Sequence, residues 1–556
     1  MEPKNINKTS KNNISYYLGI WNSNKWEKAE ELLKRKYTEK DYNELFCLYS
    51  KYKKIPNIKK LIELYGKEPI LEFTLPIIQS LALSSKEIKK EIPILTDHIK
   101  EIIKLTQFEG ASILATFFLN MFGNFTQGRK EELKNLGYDQ FPDLSFEYYL
   151  MNNDRIFIQK LLFIIRYFIK IGIRMGVSKK LKIVDHANFM LSKESILEKL
   201  KKYNNNFNEI YDFKKEFEID CNNEINSILK IYLNEFNPIL YNKSFEEKNI
   251  DNDVLCDELN KELNVNKMYS EIKKNNNKYL KQIIENVFLN KNEKITINYL
   301  KTQIKIHTNS ITDEKNSIIT NFANSYLGGG CMHYGNVQEE ILLLICPEIL
   351  IARAFVKRMN NIQSISMSGF EIISKSIGYG SRVKFGGYNI DNSYENNSFK
   401  SLMIAVDAYP NYNNNYTFEI NPIYSLRELI KFLTGLQGNN NDILNYKFDF
   451  CSTGKWGCGA FGCNVFMKFL IQFIACIFSN IGFSFSCFSD EEEQKVFEKF
   501  IDIIIKITEE NEDKITQGLI FKTFLSMDID KNTYYNGTAI LNEFIETLTS
   551  LIKQNN

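Results

Sequence analysis

Residues 321–346 read NFANSYLGGGCMHYGNVQEEILLLIC. The stretch leaves the β-rich run SIITNF, turns through Gly328, Gly329 and Gly330, and enters the apolar run Ile341–Cys346 behind Gln338, Glu339 and Glu340. Strand, glycine loop and helix in that order are the local grammar of an α/β sheet, whose ligands bind beyond the carboxyl ends of the strands. The grammar repeats downstream. Short β-rich runs (FEIIS, LMIAVDAY, KFDFCS, FSFSCF) alternate with helical patterns (VQEEILLLICPEILIARAFVKRM, SLRELIKFLTGL, NVFMKFLIQFIACIF), and ITINYLKTQIKIHT shows period-two alternation. This alternation predicts a three-layer α/β/α unit with a largely buried sheet.

Upstream of residue 180 the pattern is helical throughout. The segments YNELFCLYSKY, LEFTLPIIQSLALSS, ASILATFFLNMF and FIQKLLFIIRYFIK carry helical apolar spacing, with Pro69 and Pro142 between them. Between about 200 and 290 the chain turns rich in Asn, Lys and Glu, with only patchy periodicity, which reads as an insertion with some helix. The expected organisation is an all-α region over 1–185, an insertion or connecting region over 186–294, the α/β unit over 295–530 and a helical tail over 531–556.

The 556-residue chain carries 70 Lys+Arg against 68 Asp+Glu, a net charge of +2, so no global field draws it to nucleic acid or an anionic membrane. Hydrophobic residues at 44% and charged residues at 25% exclude a disordered or fibrous chain. The ten cysteines form no Cys-x-x-Cys pair, and the four histidines sit at no metal-ligand spacing, which predicts reduced thiols and no metal site. The leader MEPKNINKTSKNN lacks the apolar core of a secretory signal. The apolar stretches LLFIIRYFIKIGIRMG and VFMKFLIQFIACIF are interrupted by Arg166, Lys170, Arg174, Lys468 and Gln472, short of the unbroken span a bilayer needs.

Two glycine loops sit where ligands bind. The first is Gly328–Gly330; the second is Trp456-Gly457-Cys458-Gly459-Ala460-Phe461-Gly462, ahead of the helix that starts near Asn464. Each is either a tight turn or a cradle whose N–H groups face a phosphate. Neither has the ending of a Walker loop or the spacing of a dinucleotide fingerprint. Asn336-Val-Gln-Glu339 has the form of a capping box, with Asn336 at the helix start and Glu339 folded back. Glu340 has no such structural explanation. It heads an apolar run, where a carboxylate pressed against protein is a candidate general acid.

The segment NFANSYLGGG-CMHYGNV-QEEILLLICPEILIARAF resembles the signature of the poly(ADP-ribose) glycohydrolases: a triple glycine, a short spacer and Gln-Glu-Glu. TGKWGCGAFG resembles that family's diphosphate loop, and LTQFEGASILATFFLNMF and FPDLSFEYYL resemble parts of its helical accessory domain. The resemblance implies a macrodomain-like catalytic core joined to an all-α N-terminal domain. It also implies hydrolysis of ribose-ribose O-glycosidic bonds in poly(ADP-ribose), mainly from chain ends. Glu340 is then the general acid and base, Glu339 holds ribose hydroxyls, and Gln338 is a further expected substrate contact. Asn324 lies near the reacting ribose. Gly457, Cys458, Gly459, Ala460 and Phe461 receive the diphosphate, with the Phe461 ring on the ribose, and Tyr379 and Phe488 flank the adenine. Ile311–Asp313 falls near the adenine edge in an unfixed register.

No cofactor or metal is implied. The implied partners are the polymer and ADP-ribosylated proteins, with no sequence-specific nucleic acid and no membrane, for a monomer of the nucleus or cytoplasm in the DNA damage response. Two departures stand out: Asn321 replaces an aspartate before Phe-Ala-Asn, and Lys455 replaces an asparagine beside the diphosphate loop. Asn321, another expected substrate contact, keeps hydrogen-bonding capacity without the charge, so a rival reading is a reader of ADP-ribose that cuts weakly. His333, in the spacer, reads as a solvent-facing loop residue. With a net charge of +2, recognition through backbone N–H groups and stacking predicts a weak salt dependence.

Overall fold

The computed structural model describes residues 278–554, apart from 390–393, 396–397 and 441–445. N-terminal to these it describes chiefly 74–85, 102–119, 144–152, 154–177, 228–241 and 251–263. YNELFCLYSKY, Pro69 and Pro142 lie outside the described residues, as does much of the Asn-rich insertion. The chain divides into two compact units that interleave along the sequence. The first takes residues up to Tyr232 with Tyr326–Arg358 and Met367–Ser401; the second takes Leu233–Ser325, Met359–Ser366 and Leu402–Asn556.

The described helices of the first unit include Leu75–Ser84, Gln107–Phe118, Arg155–Val177 and Gln338–Ile345. The Gln107–Phe118 helix starts on a reciprocal cap: Thr106 Oγ1 accepts from the Glu109 N–H at 3.2 Å, and Glu109 Oε2 accepts from the Thr106 N–H at 2.8 Å. This otherwise helical region also holds a strand, Ile103–Thr106, paired antiparallel with residues 228–231. The second strand arises inside the stretch read from sequence as an insertion. A hairpin of Ser374–Ile377 and Lys384–Tyr388 completes the unit.

The three cations that interrupt LLFIIRYFIKIGIRMG are buried inside the Arg155–Val177 helix. Lys170 and Arg174 both pair with the fully buried Glu371, at 3.1 and 2.7 Å. Gln107 Nε2 donates to Glu371 at 3.0 Å and also to Glu348, and the Glu371 N–H donates to Glu348 Oε2 at 3.2 Å. Burial would raise Glu371, but Arg174 and Lys170 hold it at about 2, while burial and then the Glu371 charge push Glu348 up to about 8. Four separate segments are clamped by one buried acid pair.

In the second unit five parallel strands run in the order Leu402–Asp407, Ser317–Ala323, Phe450–Gly454, Gly482–Ser486 and Ile304–His307. LMIAVD and GFSFS are buried at every residue, the mark of a parallel sheet covered on both faces. The core includes Leu433, Phe469, Phe473, Phe483 and Phe485. Helices Pro422–Leu436, Val465–Phe478, Glu491–Glu510, Gln517–Ser526 and Gly537–Gln554 belong to the same unit.

Three local expectations are corrected. ITINYLKTQIKIHT is a helix, Ile297–Thr302, followed by a strand, Ile304–His307, because Thr296 Oγ1 caps the helix by accepting from the Tyr299 N–H at 3.1 Å. VQEEILLLICPEILIARAFVKRM is not one helix: it stops at Ile345 and resumes as the 3₁₀ turn Pro347–Ile351 and the short helix Ala352–Phe355. Proline at 347 has no N–H for the helical ladder and its ring clashes with the preceding turn. FEIIS enters strand only at Ser374. Among the described residues, no helix is long and apolar enough to cross a membrane.

Candidate functional site

In the first unit the triple glycine folds back on the helix that follows it. Gly328 and Gly329 adopt φ of +83° and +41°, the region that only glycine enters freely. Their turn places the Gly328 N–H 2.5 Å from Glu339 Oε1 and the Gly330 N–H 3.1 Å from Glu340 Oε1. Glu340 Oε2 accepts from the Val337 N–H at 2.9 Å. Glu339 and Glu340 are 3% and 5% exposed, so both carboxylates are buried and held by backbone donors at the N-terminus of an eight-residue helix.

This geometry revises two readings. The helix starts one residue later than expected: Val337 occupies the cap position, and the carboxylate that folds back is Glu340. Asn336 instead donates to the Gly380 carbonyl. The first glycine loop is also no phosphate cradle. Its N–H groups at 328 and 330 hold the two carboxylates, and the Gly329 N–H closes a turn on the Tyr326 carbonyl at 3.0 Å. Close packing explains the glycines that φ does not: a Cβ at Gly335 would stand 2.6 Å from Glu340 Oε1.

Tyr379 joins the same constellation. It lies between Gly378 and Gly380, both at positive φ, and its hydroxyl accepts from the Gln338 N–H at 3.2 Å. Its ring remains 37% exposed, and burial of the phenol raises its pKa. The structure therefore brings Gly328, Gly330, Gln338, Glu339, Glu340 and Tyr379 together. Glu340 uses one acceptor site on each oxygen, which leaves further lone pairs for a substrate hydroxyl or water.

The second unit carries the other loop. Trp456 anchors its base, fully buried, with Nε1 donating to the Val406 carbonyl at 2.9 Å. Gly457 and Gly462 take φ of +76° and +71°; a Cβ at Gly457 would meet Ala408 at 2.7 Å, and one at Gly462 the Asn411 carbonyl at 2.8 Å. The Cys458 N–H is used within the turn, on the Lys455 carbonyl at 3.0 Å. The N–H groups of Gly457, Gly459, Ala460 and Phe461 donate to no protein acceptor among the described residues. Behind the loop, Asn464 caps the Val465–Phe478 helix, with Oδ1 accepting from the Phe466 N–H at 2.9 Å. N–H groups with no protein acceptor among the described residues, next to a helix N-terminus, together suit an anion.

Phe488 follows the Gly482–Ser486 strand at φ +48° and is 56% exposed, so it is no core residue. Asn324 is half-buried. Ile311–Asp313 forms a turn in which the Ile311 carbonyl accepts from Ser452 at 2.8 Å. Lys455 is paired with Glu493 at 2.9 Å. Asn321 is fully buried, and its Oδ1 and Nδ2 have no hydrogen-bond partner among the described residues. Among the described residues, no group of three His, Cys, Asp or Glu side chains is placed to hold a metal.

Sequence reasoning missed the supports of both loops. In the first unit Tyr149 and Lys160 bind carbonyls of residues 331–335. In the second, the fully buried Glu419 accepts from the Asn464 N–H at 2.9 Å, from Tyr424 at 3.2 Å and from Tyr534, a residue of the expected tail. No motif announces these contacts, because most of their partners are backbone groups distant in sequence.

A parallel α/β unit with a glycine loop beyond its strands, and a carboxylate pair at a helix start in a helix-rich unit, define a macrodomain-fold protein with a helical companion. Two family models agree. "Poly (ADP-ribose) glycohydrolase (PARG), Macro domain fold" matches residues 289–495, and the helical domain of the same family matches residues 62–187, together more than half of the chain. The chain belongs to the poly(ADP-ribose) glycohydrolase family.

Among curated relatives, poly(ADP-ribose) glycohydrolase 1 of Caenorhabditis elegans is 30% identical over 211 residues, covering 36% of this chain and 26% of the relative. Poly(ADP-ribose) glycohydrolase 2 of the same organism is 32% identical over 191 residues, covering 32% and 39%. A probable poly(ADP-ribose) glycohydrolase 2 of Arabidopsis thaliana is 26% identical over 211 residues, covering 31% and 40%. The matched part of the chain thus spans between about a quarter and two fifths of these relatives' lengths.

Proposed function

We propose that the protein hydrolyses ribose-ribose O-glycosidic bonds of poly(ADP-ribose), mainly from chain ends, and releases ADP-ribose. The observation that carries the reading is the buried Glu340 carboxylate, gripped by the Gly330 and Val337 N–H groups within the family's Gln-Glu-Glu motif. Glu340 as the acid gives its proton to the leaving ribose oxygen while the glycosidic C–O bond breaks through an oxocarbenium-like transition state. The resulting carboxylate takes a proton from water as the water oxygen bonds to the anomeric carbon. One carboxyl group thus serves both steps and is restored.

Glu339 orients ribose hydroxyls. The role proposed for the Gly457–Phe461 loop is to take the diphosphate through its N–H groups, with Phe488 of the same unit offering a ring face to the base. The substrates in this reading are the polymer and ADP-ribosylated proteins, met by a monomer in the nucleus or cytoplasm during the DNA damage response. The test is release of ADP-ribose from labelled polymer by the protein and by Glu340→Gln. Release by the former and none by the latter supports the reading; equal release by both removes Glu340 from its role.

A second reading rests on Asn321, whose buried side-chain amide has no hydrogen-bond partner among the described residues, where the family carries a carboxylate. In that reading the protein binds ADP-ribose units and cuts slowly. Retained binding with little release, together with a gain of activity in Asn321→Asp, would favour it.

A further inference from the structure

The spacer between the triple glycine and the glutamates is closed on itself and then tied from behind. The Gly330 carbonyl accepts from the N–H groups of His333 at 2.8 Å and Gly335 at 3.0 Å. The neighbouring carbonyls of Cys331, His333 and Gly335 converge on one atom: Lys160 Nζ donates to them at 2.9, 2.7 and 2.6 Å. An ammonium has three donors, and all three are used. Lys160 is 1% exposed, on the Arg155–Val177 helix, and no carboxylate among the described residues lies within salt-bridge distance of it. Tyr149 reinforces the clamp by donating to the same Cys331 carbonyl, with Lys160 Nζ 5.5 Å from its ring. A buried cation without an ion pair is costly, so its three carbonyls must be held to it firmly.

We propose that Lys160 is a positioning residue for Glu340: its ammonium gathers the carbonyls of Cys331, His333 and Gly335 and thereby fixes the loop whose ends, Gly330 and Val337, grip the carboxylate. The inference rests on the catalytic role given to Glu340 above. The loop's side chains anchor it as well, Tyr334 on Asp154 at 2.7 Å and Asn336 on the Gly380 carbonyl, and Lys160 adds the tie on the backbone carbonyls that lie between the two gripping ends. The groups facing Lys160 are the Tyr149 phenol, the Cys331 thiol, Glu340 and Arg353. Burial pulls the amine down to about 8, against Cys331 and Glu340, which raise it, and with Arg353, which lowers it. Loss of the proton leaves two donors and a lone pair facing three carbonyl oxygens, so the clamp opens as pH rises through that value.

The test compares the unmodified protein with Lys160→Met, which keeps the stem and loses the donors, and with Lys160→Ala. Lys160→Met should lower kcat for ADP-ribose release by roughly 10- to 100-fold with KM nearly unchanged, the cost of a carboxylate displaced by a fraction of an ångström. The unmodified protein should show an alkaline limb in kcat near pH 8 that Lys160→Met lacks. Ethylammonium should restore part of the activity of Lys160→Ala where ethanol does not, separating the charge from the lost packing. Equal kcat and the same pH profile in Lys160→Met would overturn the proposal.

Hydrogen exchange of residues 328–340 gives a readout independent of hydrolysis. Faster exchange confined to that segment in Lys160→Met supports the clamp even if the unmodified protein proves inactive, which would defeat only the glycohydrolase reading. Unchanged exchange overturns the clamp. Should neither variant fold, the unmodified protein decides. Exchange of 328–340, corrected for its intrinsic pH dependence, rises between about pH 7 and 9 if the amine holds the loop, and a flat profile refutes it.

Discussion

Replacing Gly335 by alanine tests whether the position of Glu340, rather than its mere presence, sets the rate. Gly335 has no positive φ, so the only obstacle is space: the new Cβ would lie 2.6 Å from Glu340 Oε1 and 2.7 Å from the Gly330 backbone. Both contacts must open by at least 0.3–0.4 Å to reach 3.0 Å, the closest approach real Cβ atoms make. The Gly330 N–H already stands 3.1 Å from the same oxygen, so the displacement breaks or badly weakens that bond. A hydrogen bond to a charged group contributes about 1.5–3 kcal/mol, and a misplacement of about 1 Å costs up to about 100-fold in rate. The expected result is a fall in kcat of roughly 10- to 100-fold in initial-rate measurements of ADP-ribose release, with an unchanged circular dichroism spectrum. Gly110→Ala, where nothing lies within 4 Å of the added methyl, is the matched control. A folded Gly335→Ala protein cutting within about twofold of the unmodified rate would refute the idea that Glu340 is held to tight tolerance.

Phe488→Ala should leave stability nearly unchanged, because the ring is 56% exposed, yet weaken ADP-ribose binding by about 1–3 kcal/mol in calorimetry if it stacks on a base. Tyr534→Phe removes a donor from the fully buried Glu419 and should cost roughly 1.5–3 kcal/mol in denaturant unfolding, with Asn464 and its helix start loosened in hydrogen exchange. Glu348 gives a pH signature. Its pKa in the fold, about 8, lies above the ordinary 4.5, so the stabilising protonation is complete below about 4.5 and is lost as pH rises through 8. Glu371, held at about 2, contributes no slope in that window. Between about pH 5 and 8 the unmodified protein should lose up to about 1.4 kcal/mol per pH unit relative to Glu348→Gln, a difference in slope that a fixed change in hydrogen bonding cannot mimic.

Four strands after residue 310, in SIITNF, LMIAVDAY, KFDFCS and FSFSCF, were legible as short β-rich runs of the kind that burial on both faces requires, whereas the strand Gln363–Ser368, with its three serines, was not read. LMIAVD and GFSFS are the clearest cases. Glu340 was legible for the converse reason: a carboxylate heading an apolar run needs an explanation. Its register was not, because Asn336 has the stronger cap propensity, and only the close return of the glycine loop shows that Asn336 is engaged with Gly380 while Val337 takes the cap position. The helix of ITINYLKTQIKIHT was hidden because it is six residues long with only Leu300 buried, too short to show a 3.6-residue period beside the alternating strand Ile304–His307. The strand at residues 228–235 was hidden by its setting among Asn and Lys runs.

Lys160 was the least legible functional residue, and the reason is general to this molecule. In FIQKLL a lysine reads as the polar face of an amphipathic helix, and its partners are three carbonyls some 170 positions away, which carry no side-chain signature. Other cations of the described residues are likewise held out of solvent. Lys170 and Arg174 meet Glu371, Arg427 and Lys431 meet Asp407, and Lys468 meets Glu428, all in buried surroundings. In the function proposed above, anion recognition falls to groups that composition cannot count, the N–H donors of the Gly457–Phe461 loop, while buried cations such as Lys160 hold backbone carbonyls. On that proposal a nearly neutral chain can meet a polyanion, because backbone N–H groups rather than side-chain cations would make the contact.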